Sequence, residues 1–527
     1  MTTKSASAFA ALLANLAFAA AGCSVFGGDD DPAGAPAADT ATPARDDGGD
    51  APKAPPVGGP ATPSELTDAL GVFVSPAGSA SADGTHANPL ATIQAGIDQA
   101  KRVGKRVYVC AGTFREALVL ADSISVIGGL DCTNNEWRVG SGVSRIESPS
   151  SPAIRATDIT SATRLEGLDV NAPNAATPSG SSIGMLAYHA SGIVVARTKI
   201  VAGNAMKGDD GGEGTQLSNA ATANGGNVTA SIQCVAGGTC ERSPIKNDWA
   251  PPSGGAQGDN TCVGAPGFVA QSGGYGGSGG LYKVVLSGAA AGVAFELYRG
   301  FTYATSSGVH DLTSAAGDNG SDGANATTGA ISREGYAPAD GTNGKNGATG
   351  SGGAGGDGFG PGSPQVVDQL WRGWGGAGGG AGGCPGLAGT AGKGGGASIA
   401  ALLVESPITF EATELLTGQG GAGGQGTFGS APTAGGLAGA NPYASTYPML
   451  SAKPGGRGGA AGISGNGSSG PSAGIAHVGA APKLLGANKI TPGTGGAAIA
   501  ARSRSTLGVT KTIPATPAGL SKDILAL

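Results

Sequence analysis

Glycine recurs at every third position over long stretches of this chain. Gly341, Gly344, Gly347, Gly350, Gly353 and Gly356 share one phase, as do Gly373, Gly376, Gly379 and Gly382, and then Gly456, Gly459, Gly462 and Gly465. Shorter runs are Gly273, Gly276, Gly279 and Gly418, Gly421, Gly424. An extended left-handed helix with three residues per turn puts each such Gly on one edge, where only hydrogen fits between neighbouring chains. Collagen is excluded, because Pro is almost absent from the paired positions of these runs. Two states stay open for them: a bundle of polyglycine-II-like helices, or flexible Gly-rich loops.

Composition bounds the rest. Of 527 residues, 102 are Gly and 32 Pro, about a quarter of the chain, so ordinary globular folding covers only part of it. Charged residues are 13% and aromatics 5%, which fits neither a charge-driven disordered chain nor a large aromatic core. A formal net charge of −6 excludes a nucleic-acid binder, which needs a basic surface to neutralise phosphates.

Residues 1–22 read as a targeting segment: Lys4, a short apolar stretch from Ala8 to Ala20 that is too short to span a bilayer, then Ala20-Ala21-Gly22-Cys23. This resembles a bacterial lipoprotein signal, with Ala20 standing where the family usually has Leu. The resemblance implies cleavage before Cys23 and acylation of that cysteine, a nearly irreversible membrane anchor. Ser24 follows where enteric bacteria place Asp to retain lipoproteins in the inner membrane, so outer-membrane placement at the cell surface is expected. Residues 23–65 are Asp, Ala, Pro and Gly without apolar periodicity, the composition of a disordered tether.

Residues 66–203 change character. Ile93, Ile97 and Ala100 lie on one face of a short helix, and short β-branched runs follow, among them Val107–Cys110, Ser123–Ile127, Leu168–Val170 and Ile193–Ile200. Ile124, Ile146 and Leu168 recur at intervals of 22, about one turn of a parallel solenoid. Pro89-Leu-Ala-Thr-Ile93, Ala111-Gly-Thr-Phe-Arg-Glu116 and Ile124-Ser-Val-Ile-Gly-Gly129 resemble the front of secreted right-handed β-helix proteins of the pectin-lyase-like superfamily. The resemblance covers residues 72–203 and implies an all-β, single-stranded right-handed parallel β-helix with an N-terminal capping helix.

An internal repeat, Ser182 to Ile193 with Val201-Ala-Gly203 against Ser398 to Ile408 with Leu416-Thr-Gly418, and a weaker copy from Gly474 to Gly493, extends the expected coil over residues 398–527. Residues 204–397 and 419–473 then become Gly-rich excursions from one corner. Their Gly-Gly-x-Gly-Gly segments, as in Gly352–Gly356 and Gly420–Gly424, resemble the PGRS-type repeats of mycobacterial surface proteins.

Seven cysteines less Cys23 leave six, an even number in an exported chain. The expected pairs are Cys110 with Cys132, Cys234 with Cys240, and Cys262 with Cys384, the last tying the ends of the large excursion. No Cys-x-x-Cys exists and His86, His189, His310 and His477 are scattered, so no metal and no cofactor is expected.

Catalytic motifs of the resembled superfamily are tested residue by residue. Gly208-Asp209-Asp210 and Arg197-Thr-Lys199 are present, but in the wrong order for a polygalacturonase, and its Gly-His-Gly and Asn-Thr-Asp are missing. The Gln-Asp-Thr strand of pectin methylesterases is also missing, and Asp318-Asn-Gly-Ser-Asp322 lacks the Glu of a calcium loop. No catalytic residue is assigned. Trp371 and Trp374 are the candidate sugar-stacking residues, with packing against the coil as the competing role. The sequence reading is a bacterial surface lipoprotein of structural or adhesive type. The alternatives are a non-catalytic polysaccharide-binding protein and a diverged polysaccharide lyase or hydrolase, the partners being a membrane through the lipid anchor and a polysaccharide or another surface protein.

Overall fold

A computed structural model describes residues 62–140, 142–228, 253–278, 312–358, 375–442, 444–445 and 448–527, and the backbone of 281–282 and 371–372. Cys23, the 1–22 signal and the tether up to residue 61 lie outside the described residues, as do Cys234, Cys240, His310 and Trp374.

The chain opens with the helix the sequence calls for. Helix α1 (Ile93–Val103) buries Ile93, Ile97 and Ala100 together with Gly96, and ends at Gly104, whose φ of 66° is the left-handed conformation Gly adopts without strain. Its first N–H groups are met by side chains. Thr92 Oγ1 accepts from Ala95 N, and the Glu116 carboxylate accepts from Ile93 N and Gln94 N at 2.7 and 2.8 Å.

Three parallel sheets share the core. The first runs Gly71–Ser79, Arg106–Cys110, Val126–Asp131, Thr163–Glu166, Ile193–Ala196, Thr409–Glu411, Lys483–Leu485, with Arg138–Val139 antiparallel beside the third strand. The second runs Gly112–Phe114, Ser144–Glu147, Leu168–Asn171, Lys199–Ala202, Glu414–Thr417, Lys489–Thr491. The third runs Leu118–Val119, Ile154–Thr157, Ser182–Tyr188, Ser398–Val404, Ser472–Val478, Ser521–Ala526. From Thr163 onward the chain visits first, second and third sheet in turn. It leaves for Gly-rich sequence after Ala202, Thr417 and Thr491, and each time returns into the third sheet.

Register stacks apolar residues into columns. Val107, Val126, Leu165, Val195 and Phe410 align in the first sheet, Phe114, Ile146, Val170, Ile200 and Leu415 in the second, and Ile154, Met185, Ala401 and Ile475 in the third. All belong to one buried cluster that α1 joins. Each fully buried aliphatic side chain contributes about 1.5–3 kcal/mol, so this column is the main source of cohesion. Ile146 pairs with Val170, not with Ile124 or Leu168, so the 22-residue interval is not the stacking repeat.

The expected all-β, single-stranded right-handed β-helix is therefore corrected. The structure has several separate sheets, three parallel and three two-stranded antiparallel, and α1 is part of the core rather than an appendage. The Gly-rich chain belongs to no sheet, for a physical reason: it bonds with a period of three, which cannot mesh with a pleat of period two.

That bonding is lateral and long-range. Gly347, Gly350 and Gly353 donate to the carbonyls of Gly386, Gly383 and Gly380, antiparallel, at 2.8–2.9 Å. Gly383, Gly386 and Gly392 donate to Gly456, Gly459 and Gly465, parallel, at 2.8–3.0 Å. Gly456, Gly459 and Gly462 donate back to Ser351, Ala348 and Lys345 at 2.8 Å, so three stretches form a closed cycle of donation. Three residues per step without internal hydrogen bonds is the geometry of an extended polyproline-II-type helix.

The in-phase glycines are sterically required. A Cβ at Gly341, Gly347 or Gly353 would stand far inside contact distance of the carbonyl oxygens of Gly465, Gly459 or Lys453. At several points along this layer Asn or Asp takes the place of a neighbouring chain. Asn319, Asp322 and Asn325 Oδ1 accept from Ala460, Ile463 and Asn466 N at 2.9, 3.0 and 2.8 Å, again every third residue.

Two disulfides tie the ends. Cys110–Cys132 closes the outer face of the first sheet, and Cys262–Cys384 joins chain 122 residues apart inside the Gly-rich layer, each with Cα atoms 5.7 Å apart.

Candidate functional site

Outward positions of the strands gather charge in two places. On the second sheet, register aligns Arg145, Asp169, Lys199, Glu414 and Lys489, one per strand with alternating sign. Parallel strands lie about 4.8 Å apart, so the ladder is a regular file of charges. Arg145 Nε reaches Asp169 at 3.1 Å, and Lys489 Nζ reaches Glu414 at 2.7 Å with Lys199 at 3.9 Å on its other side. The hydrogen bond from Lys489 holds the Glu414 carboxyl below its ordinary range.

On the first sheet a carboxylate is enclosed. Glu166 is 1% exposed, and the guanidiniums of Arg164 and Arg197 lie against its two oxygens. Arg164 also reaches Glu411 at 3.1 Å. Arg197 occupies a corner residue with φ of 42°, and Gly167 and Ala412 hold the same left-handed conformation at the corners of adjacent strands. A carboxylate clasped by two guanidiniums is a fixed anion that locks three strands together, because removing either partner would strand a buried charge.

Another corner, between third and first sheets, carries Asp158, His189 and Glu405, with φ of 54°, 48° and 49°. His189 Nδ1 is 3.6 Å from Asp158, and both side chains are half-exposed or more. His477 is elsewhere: its register partner is Leu403, it is 9% exposed, and its Nδ1 lies 3.2 Å from Gly479 O. His86 Nδ1 bonds Asp68 at 2.7 Å and Nε2 bonds Leu66 O at 2.8 Å, which leaves neither nitrogen for a metal. Among the described residues no cluster of His, Cys, Asp or Glu could hold a metal ion.

The residues singled out in the sequence are dispersed. Arg197 serves the first-sheet cluster, Lys199 the second-sheet ladder, and Asp210 the Gly-rich layer, where it accepts from Gln425 N at 2.7 Å and pairs with Lys207. Asp209 contributes its carbonyl to Lys393 N. Asp322 receives Lys511 at 2.7 Å and Asn319 receives Ala460 N, so the Asp318–Asp322 run bonds protein groups. Trp371 lies in a two-residue strand paired with Leu281–Tyr282.

Glu116, Glu166 and Arg164 were not foreseen as polar anchors. Arg164-Leu165-Glu166, with charges flanking an inward Leu on a strand, is the signal that could have found the last two.

No family model, no curated protein and no solved structure matches the chain, so nothing identifies a pectin-lyase-like family. Among the described residues, no helix is long and apolar enough to cross a membrane.

Proposed function

We propose that the protein is a structural or adhesive scaffold of a bacterial cell surface, joined to a membrane by a lipid on Cys23. The observation that carries this reading is the Gly-rich layer, in which stretches far apart in sequence are bonded backbone to backbone at every third residue. Such a layer resists bending without a large apolar core, which suits a chain with 5% aromatic residues. The charges on the sheet faces neutralise one another in pairs, a use of carboxylates and cations that holds strands in register.

Two measurements test it. In cells fed an alkyne fatty acid, the wild-type chain takes up label and Cys23→Ser does not; equal labelling of the two overturns the anchor. The soluble chain from Ser24, incubated with acidic and neutral polysaccharides, leaves their length unchanged on size-exclusion chromatography. Shortened polymers would overturn the scaffold reading in favour of a lyase or hydrolase, and depletion without shortening would assign it an adhesive ligand.

A further inference from the structure

The hairpin Arg502–Thr506 with Val509–Ile513 has two chemically distinct faces. Ser503, Ser505, Thr510 and Thr512 are exposed and pair across the strands, with Ser503–Thr512 at 2.8 Å and Ser505–Thr510 at 2.7 Å. The opposite face meets the Gly-rich layer, where Arg502 and Arg504 bond the carbonyls of Gly426 and Gly429 and Lys511 bonds Asp322 at 2.7 Å. Between hairpin and layer is an open cavity of about 260 Å³, lined by Phe428, Ser430, Pro432, Arg504, Thr506 and Lys511 among others.

Cations converge on it. The guanidinium carbons of Arg504 and Arg502 stand 5.0 and 5.8 Å from the centre of the Phe428 ring, which fixes their orientation. Arg502 Nε is buried with no hydrogen-bond partner, an uncommon cost for a charged group. Three cations face one carboxylate, Asp322, in a chain whose net charge is −6. The local surplus of two positive charges matches a dianion rather than a monoanion, and guanidinium forks with a hydroxyl such as that of Thr506 suit tetrahedral oxygens.

We propose that this cavity binds a phosphate group. The cavity admits a headgroup or a small phosphate ester and little more. Two sources carry that chemistry, a soluble phosphate ester and an anionic lipid headgroup, and the test separates them.

The soluble chain from Ser24 is titrated with inorganic phosphate, glycerol phosphate and acetate by calorimetry, and sedimented with phosphatidate or phosphatidylcholine vesicles. Phosphate and glycerol phosphate bind, acetate does not, and Arg504→Gln weakens binding about tenfold, the loss of one charge-assisted hydrogen bond. Because Arg504 also holds Gly429, Thr506→Val is the second variant; it weakens binding while the circular dichroism spectrum and melting temperature stay those of wild type. Sedimentation with phosphatidate alone, sensitive to both variants, assigns the lipid source, and binding of glycerol phosphate without sedimentation assigns the soluble one. Absence of saturable phosphate binding, equal binding of acetate, or binding unmoved by both variants overturns the site.

Discussion

At Gly462 a methyl group would meet the carbonyl oxygen of Ser321, and at Gly459 that of Asp318. These glycines are not needed for positive φ, so what their missing Cβ permits is close approach of another backbone. Gly462→Ala is expected to destabilise the folded chain by about 3 kcal/mol, as overpacking does. Gly212→Ala is the control, since its Cβ would meet only Thr390 Oγ1 at 3.7 Å; it is expected to be neutral or slightly stabilising. Equal melting temperatures for wild type and Gly462→Ala would contradict the packing described. The phase of these glycines is legible in the sequence because the steric demand recurs with the chain's own period. Which stretch lies beside which is not, since backbone-to-backbone contact leaves no side-chain identity to read.

At the scale of elements, Asp122 bridges two corners by accepting from Thr160 N, Ser161 N and Ser161 Oγ at 2.9, 2.8 and 2.7 Å. Burial pushes its carboxyl up, but the Ser161 hydroxyl and the two N–H groups outweigh that and hold it below the usual carboxylate range. A folded pKa below the unfolded one stabilises the protein above the ordinary carboxylate pKa of about 3.9, and that stabilisation fades as pH falls through the folded value. The stability gap between wild type and Asp122→Asn in urea titrations should therefore be full at neutral pH and shrink in acid; a gap constant with pH would count against it.

The Cys262–Cys384 disulfide acts on a longer span. Replacing both cysteines by Ser is expected to lower stability by about 2–4 kcal/mol, chiefly by freeing the unfolded chain, and an unchanged urea midpoint would contradict that. Helix α1 was legible because Ile93, Ile97 and Ala100 repeat at its own period. The strand stacking was read less well. Phe114, Ile146, Val170 and Ile200 are neighbours in register although unequally spaced in sequence, because corner lengths vary from turn to turn. The Glu166 cluster was hidden for a related reason: Arg197 comes from the next strand over, and only register brings it to Glu166.

For the whole molecule, the account rests on two materials joined at one seam. Three parallel sheets enclose an aliphatic core, and a Gly-rich layer continues from the ends of the second-sheet strands to the starts of third-sheet strands. A chain of low charge and few aromatics can thereby be ordered over long Gly-rich stretches, with stiffness coming from hydrogen bonds rather than from side-chain bulk. Native-state hydrogen exchange on the soluble chain from Ser24 tests this directly, read at Gly347, Gly350, Gly383, Gly386, Gly456 and Gly459. The account predicts that these amides exchange as slowly as those of Val170 and Val195 in the sheet core, opening only with global unfolding. Exchange at the rate of an unstructured peptide, with the sheet core still protected, would contradict it.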